Sequence, residues 1–173
     1  MERYFILDNY NTFYDWGLVL TSKDLTPPEP KTNYVTIDGR SGTLDLSEAL
    51  TGEVTYHDRI ITASFWTDYG TRLERDILLK NISQVLHGRK IKIIDPDDKE
   101  HYLLGRVTIS AVVNNLSYAS FTITATCEPW RYAIEDITRK IEVKGRGVVK
   151  VVIRNNGIKT ITPTLKVDKS IVL

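Results

Sequence analysis

The stretch TRLERDILLKNISQVLHG, residues 71–88, decides how the rest of the chain is read. Leu73, Ile77, Leu78, Ile82, Val85 and Leu86 recur at helical spacing as one apolar stripe, and Arg72, Arg75, Asp76, Lys80 and Gln84 take the other side. Thr71 stands at an N-cap position and Glu74 three residues later completes a capping box. Gly88 supplies a left-handed stop after His87. The pairs Arg72/Asp76 and Asp76/Lys80 add about 0.2–0.5 kcal/mol each, too little to hold an isolated helix. Its apolar face must dock, and the flanking sequence is all strand-like, so the partner is a sheet.

Outward from the helix the period changes to two. Residues 59–66 alternate, with Ile61, Ala63 and Phe65 on one side and Ile60, Thr62, Ser64 and Trp66 on the other. Residues 91–94 and 101–104 flank the acidic turn Asp95-Pro96-Asp97-Asp98 as a hairpin. Val107, Ile109, Ala111 and Val113 then alternate with polar neighbours. After a turn at Asn114-Asn115 the chain returns as Ala119, Phe121, Ile123, Ala125 and Cys127, with serine and threonine outward. Residues 4–7 and 16–20 are expected to open the domain as a hairpin across the turn-rich 8–12. Residues 21–33 contain Pro27, Pro28 and Pro30, which remove backbone donors and predict an extended arm. Residues 34–37 resume as strand before the turn Gly39-Arg40-Ser41-Gly42. Residues 44–56 read as irregular and 133–140 as a connector. Asn156-Gly157 signals a last hairpin between 148–153 and 158–167. A lone hairpin is marginal in water, so residues 141–173 must dock on the first domain, at 1–140, dock on another chain or begin a second β domain, and the last is the expectation.

The chain has 173 residues, 42% of them hydrophobic, and 23 basic against 22 acidic residues. A formal charge of +1 gives no overall electrostatic case for nucleic acid or an anionic membrane. No run approaches the ~20 apolar residues that span a bilayer, and the first ten residues lack a signal-peptide core, so the chain is expected to stay in a cytoplasm. The single cysteine, Cys127, allows no internal disulfide and falls at a core position.

Chemistry is nominated poorly. His57, His87 and His101 are the three histidines; none has zinc spacing, and no GxSxG elbow occurs. Gly145-Arg146-Gly147 lacks the third glycine of a dinucleotide loop and reads as a turn. Asp95, Asp97, Asp98 and Glu100 lack the spacing and glycine of a calcium loop and read as a solvated turn. Trp16, Trp66 and Trp130 lie at strand ends or faces, where core-edge packing, a subunit interface and a ligand platform are all open. The expectation is a protein without catalytic residues, cofactor or metal.

Taken in order, several motifs together resemble one family. They are the tyrosine-rich opening through Trp16-Gly17-Leu18-Val19-Leu20, the arm Pro27-Pro28-Glu29-Pro30-Lys31, and Gly39-Arg40-Ser41-Gly42-Thr43-Leu44-Asp45-Leu46-Ser47-Glu48. After the helix come the hairpin, Tyr102-Leu103-Leu104-Gly105-Arg106-Val107, and Cys127-Glu128-Pro129-Trp130. Residues 1–140 resemble the N-terminal domain of the distal tail proteins of long-tailed bacteriophages and prophage tails. Many members carry a complete sugar-binding-like β-sandwich afterwards, of which only the first strands would be present here.

The resemblance implies a hexameric ring between tail tube and tail tip, an adaptor hub whose channel passes the genome and whose outside carries baseplate or receptor-binding components. The implied partners are therefore five further copies, the tail tube protein and the tail-tip protein, with no membrane. The implied location is the virion tail, assembled in a bacterial cytoplasm. The expected fold is mainly β (α+β): an antiparallel β-sandwich or split-barrel-like domain, one packed helix at about 72–87 and a Pro-rich arm. Subunit contacts are expected at residues 21–33 and 39–48, with Pro27, Pro28, Pro30, Gly39, Arg40, Gly42, Leu44 and Leu46 as candidates. Two other readings are a carbohydrate-binding β-sandwich module using exposed Trp and Tyr, and a tail tube or neck ring protein.

Overall fold

The computed structural model describes residues 4–135, 150–154, 162–164 and 166. The chain divides into two units, Met1–Asp136 and Ile137–Leu173. The turn of the expected last hairpin, Asn155-Asn156-Gly157, and half the positions of its two strands lie outside the described residues; the positions that are described, 150–153, 162–164 and 166, are not in strand.

The first unit contains β1 (Ile6–Leu7), β2 (Tyr10–Asn11), β3 (Val19–Leu25), β4 (Tyr34–Thr36), β5 (Thr43–Asp45) and β6 (Arg59–Thr67). Helix α1 (Arg72–Leu86) follows, then β7 (Lys90–Ile94), β8 (His101–Asn114), β9 (Ala119–Cys127) and β10 (Tyr132–Ala133). One curled antiparallel sheet, a half-barrel, runs β2-β1-β7-β8-β9-β6-β3 with β10 added on β8, while β4 and β5 form a separate ribbon. The fold is mainly β with one helix, as the periodicities predict.

The alternation in β6 and β9 is what builds the core. Ile61, Ala63 and Phe65 are buried beside Phe121, Ile123, Ala125 and Cys127, in register through Phe65↔Phe121 and Arg59↔Cys127. Phe65 stacks on Phe121 at 5.7 Å, and Phe5 meets Phe65 edge-on at 6.4 Å. The opposite face is a hydroxyl ladder, with Ser64 and Thr122 bonded at 3.2 Å. Cys127 is fully buried, and burial pushes its thiol up to about 12. Between pH 9 and 12 the unfolded chain loses this proton and the folded chain keeps it, so stability falls as pH rises through that window. Wild type is expected to lose more stability than Cys127→Ala between pH 7.5 and 10.5, measured by urea midpoints, and Cys127 to resist thiol reagents until unfolding.

Four expectations are corrected. The opening hairpin is β1 with β2, closed at Asp8 with φ +59°, whereas the 16–20 segment leads into β3 and pairs with β6. Trp16 instead stacks on Tyr10 at 5.0 Å and packs against the core. The arm is shorter than 21–33, because residues 21–25 continue β3 as an edge strand; its polar side chains face out, and the prolines begin only at Pro27. Ala111 and Val113 do not point inward: Ala111 has φ +51°, the register slips between Ser110 and Val113, and both residues are exposed.

The fourth correction concerns α1. Its capping box is present, with the Glu74 carboxylate accepting from the Thr71 N–H at 2.6 Å, and Gly88 takes φ +75°. The buried stripe is Arg75, Leu79, Ile82 and Leu86, while Leu73 and Ile77 are 68% and 52% exposed. The helix is rotated because its start is tied to the end of β8 and the turn after it, and its end to β8 itself. At one end the Arg75 guanidinium donates to the carbonyls of Gly70, Asn115 and Leu116 at 2.7, 2.9 and 3.0 Å. At the other, His87 Nδ1 accepts from the Ile109 N–H at 3.1 Å. Asp76 is engaged by Asn114 Nδ2 at 2.6 Å.

Candidate subunit interface

Between β3 and β6 the chain makes an excursion over residues 26–58 in which no side chain is buried. Pro27, Pro28 and Pro30 begin it, and it is held at its base by a bridge between Pro30 and Tyr56. There the Lys31 N–H donates to the Thr55 carbonyl and the His57 N–H to the Glu29 carbonyl, both at 2.8 Å. Tyr56 in turn meets Trp130 edge-on at 5.7 Å. Beyond the base, β4 and β5 pair as a ribbon with Val35 opposite Leu44. Its tip is closed by Gly39 and Gly42 at φ +83° and +78°, a conformation only glycine adopts without strain, with Arg40 between them. Leu46 returns to the ribbon through its N–H to the Asn33 carbonyl at 2.8 Å. Ser47 both donates to and is oriented by Asp45, and these bonds from Ser47 hold the Asp45 carboxyl below its usual range.

All eight candidate contact residues thus fall in one excursion: the prolines on its stalk, Gly39, Arg40 and Gly42 at the tip, and Leu44 and Leu46 on the returning strand. Sequence reasoning missed its other apolar members. Tyr34, Ile37 and Val54 are 59%, 42% and 43% exposed, and Leu50 is 99% exposed. Apolar residues scattered through a Pro- and Gly-bounded segment are the available signal, although 34–37 reads as strand and 44–56 as irregular chain.

A second exposed apolar surface lies on α1. An open groove of about 420 Å³ runs between the helix and the bulged part of β8, lined by Leu79, Lys80, Ser83, Ile109, Val112 and Phe121. Leu73 and Ile77 are exposed on the same helix, and Leu116, 85% exposed, lies beyond β8.

The acidic turn nominated for calcium is otherwise engaged, and the Gly145-Arg146-Gly147 turn lies outside the described residues. Lys23 Nζ sits 2.6 Å from Asp95 and 2.5 Å from Asp97, so the acidic turn is ion-paired as well as solvated. Asp98 is held below the usual carboxylate range by the His101 hydrogen bond first and by Arg131 next. Among the described residues no group of three or more His, Cys, Asp or Glu could hold a metal, and no helix is long and apolar enough to cross a membrane.

The class these observations define is a half-barrel β domain with one strapped helix and one exposed ribbon. A fold of this kind is found in the SPP1 Dit (gp 19.1) protein, described as a paradigm of the hub adsorption apparatus in Gram-positive infecting phages; the TM-score is 0.60 at 14% identity. The likeness covers 75% of this chain and 51% of that one, so the match spans about half the length of the solved protein. No protein-family model and no curated protein matches the sequence.

Proposed function

We propose that this chain is a structural component of a phage tail: a hub that forms a hexameric ring and joins the tail tube to the tail tip. The observation that carries the reading is the shared fold with the SPP1 hub protein across three quarters of the chain. The excursion supports it, because an arm with no buried side chain gains little within one copy and is suited to a neighbour. The role is structural rather than enzymatic, in a virion tail assembled in the bacterial cytoplasm. Tail tube, tail-tip and receptor-binding proteins are its partners, and the genome crosses the ring without specific binding. The mass in solution, by native mass spectrometry over a range of concentrations, is expected at six times the 19.8 kDa of one chain. A strict monomer at every concentration overturns the ring.

A binding module is the second reading, favoured by the aromatic turn where Tyr10 and Trp16 stack and Phe13 and Tyr14 are 43% and 62% exposed. It requires glycan binding by the monomer that Tyr14→Ala abolishes.

A further inference from the structure

Of the 13 aspartates in the chain, Asp38, at the tip of the ribbon, is the one that a glycine follows. We propose that Asp38-Gly39 is a site of spontaneous modification, where the aspartate closes to a succinimide and reopens as isoaspartate with water as its co-reactant.

The main chain attacks the side chain. The Gly39 amide nitrogen adds to Cγ of the protonated Asp38 carboxyl, an N–Cγ bond forms, and the amide proton and the departing hydroxyl make one water. The five-membered imide now joins both carbonyl carbons of Asp38 to that nitrogen. Water then returns to one of them. Breaking the N–Cγ bond restores aspartate, whereas breaking the bond to the main-chain carbonyl carbon leaves the chain running through Cγ. The product keeps the mass and the charge, with one more atom in the main chain and a side chain one carbon shorter.

The tip meets each requirement of this reaction. A side chain on the following residue crowds the approach of the nitrogen; Gly39 has none, and a Cβ built there would meet nothing within 4 Å. The turn bond runs from the Arg40 N–H to the Ile37 carbonyl at 3.1 Å and passes over Gly39, whose own N–H makes no hydrogen bond among the described residues. The Asp38 side chain is exposed and, among the described residues, has neither a hydrogen bond nor an ion pair to hold it back. Other turn aspartates differ. Asp45 is bonded by Ser47 and followed by Leu46, Asp97 is paired with Lys23, and Asp95 precedes Pro96, whose nitrogen carries no proton to lose.

The product is damaging at this place. Gly39 has φ +83°, as the third residue of a type II turn requires, and the turn closes a ribbon of three residue pairs, with Thr36↔Thr43 next to the tip. An extra main-chain atom between Ile37 and Arg40 lengthens the span that the turn bond closes, so the isomerised ribbon frays from its tip.

Tryptic mapping of the purified chain, kept for several weeks at neutral pH and physiological temperature, tests the site. Electron-transfer fragmentation splits the Cα–Cβ bond of isoaspartate and reads it in residues 32–40, the peptide after Lys31. At a dilution where the chain is monomeric, isoaspartate is expected to accumulate at Asp38 at least tenfold faster than at Asp45, and within threefold of its rate in the guanidinium-unfolded chain. Asp38→Glu is expected to abolish it, because the ring that would form has six members. Asp38→Asn is expected to raise it at least tenfold, with ammonia leaving in place of water. A folded rate more than threefold below the unfolded one overturns the site, because the fold then protects the tip. Isoaspartate that builds up no faster at Asp38 than at Asp45, or that survives Asp38→Glu in this peptide, overturns it as well.

Discussion

Arg75→Leu is expected to cost this domain about 3 kcal/mol, because it removes at once several hydrogen bonds from a charged donor, each worth about 1.5–3 kcal/mol. The Arg75 side chain is 1% exposed. Its guanidinium also reaches Asn114 Oδ1 at 3.3 Å and the Tyr69 carbonyl at 3.4 Å, in addition to the three shorter bonds to carbonyls. These acceptors belong to the loop before α1 and to the end of β8 with the turn after it, segments about 45 residues apart in sequence (Gly70 against Asn115). A leucine fills the volume but leaves the part-buried carbonyls of Gly70, Asn115 and Leu116 without this donor, at about 1–3 kcal/mol each before they turn to water. Arg75→Lys recovers little, because an ammonium is a compact donor and cannot span acceptors on both segments. Urea unfolding gives the loss, and hydrogen exchange should show the Asn115–Tyr118 turn, closed by an N–H to carbonyl bond of 3.0 Å, opening first. A loss below about 1 kcal/mol would mean that the turn rearranges to solvate its own carbonyls.

Arg75 also marks where the sequence stops being readable. The capping box at Thr71 and Glu74, the alternation of β6 and β9, the hairpin at Asp95 and the glycine tip of the ribbon are local: each needs only neighbours in sequence, and each is present. Which face of α1 is buried depends on carbonyls of a turn more than 35 residues away. An arginine in a helix pattern carries no sign of being the anchor, so the apolar stripe that runs from Leu73 and Ile77 to Leu86 is rotated from the buried face, which it shares at Ile82 and Leu86. The same holds for β3, whose polar residues 21–25 become strand only because β6 offers an edge. It holds as well for the slip at Ala111, which no residue type announces. At the candidate interface, prolines and glycines located the excursion, since they act on their own backbone. The groove beside α1 is formed by the rotation of the helix and the bulge together, and no local residue pattern announces it.

The space at Gly105 gives the second large effect. Gly105 lies on β8 between Ile91 of β7 and Cys127 of β9, so the ladder holds its backbone on both sides. A Cβ added there would stand 2.3 Å from Cys127 Sγ and 3.1 Å from both the Cys127 Cα and the Thr126 carbonyl oxygen. The glycine is needed for room, not for its backbone angle, and the clash falls on a thiol that is itself fully buried. Gly105→Ala is therefore expected to cost about 3 kcal/mol through overpacking, and Cys127→Ala about 1 kcal/mol through the small cavity it leaves. In the double variant the new methyl enters the space vacated by the sulfur. The combined loss should fall short of the sum by at least about 1 kcal/mol, with the contacts to the Cys127 Cα and the Thr126 oxygen preventing full recovery. A double-mutant cycle from urea denaturation measures this coupling. Additivity within about 0.5 kcal/mol would show that β8 moves away from β9 as a strand, and that the sulfur is not what makes glycine necessary. Because Arg59, the first residue after the excursion, pairs with Cys127, such a movement should also loosen the base of the ribbon. Gly105→Ala should then weaken ring assembly more than its loss of stability alone accounts for, and Cys127→Ala should reverse part of that effect.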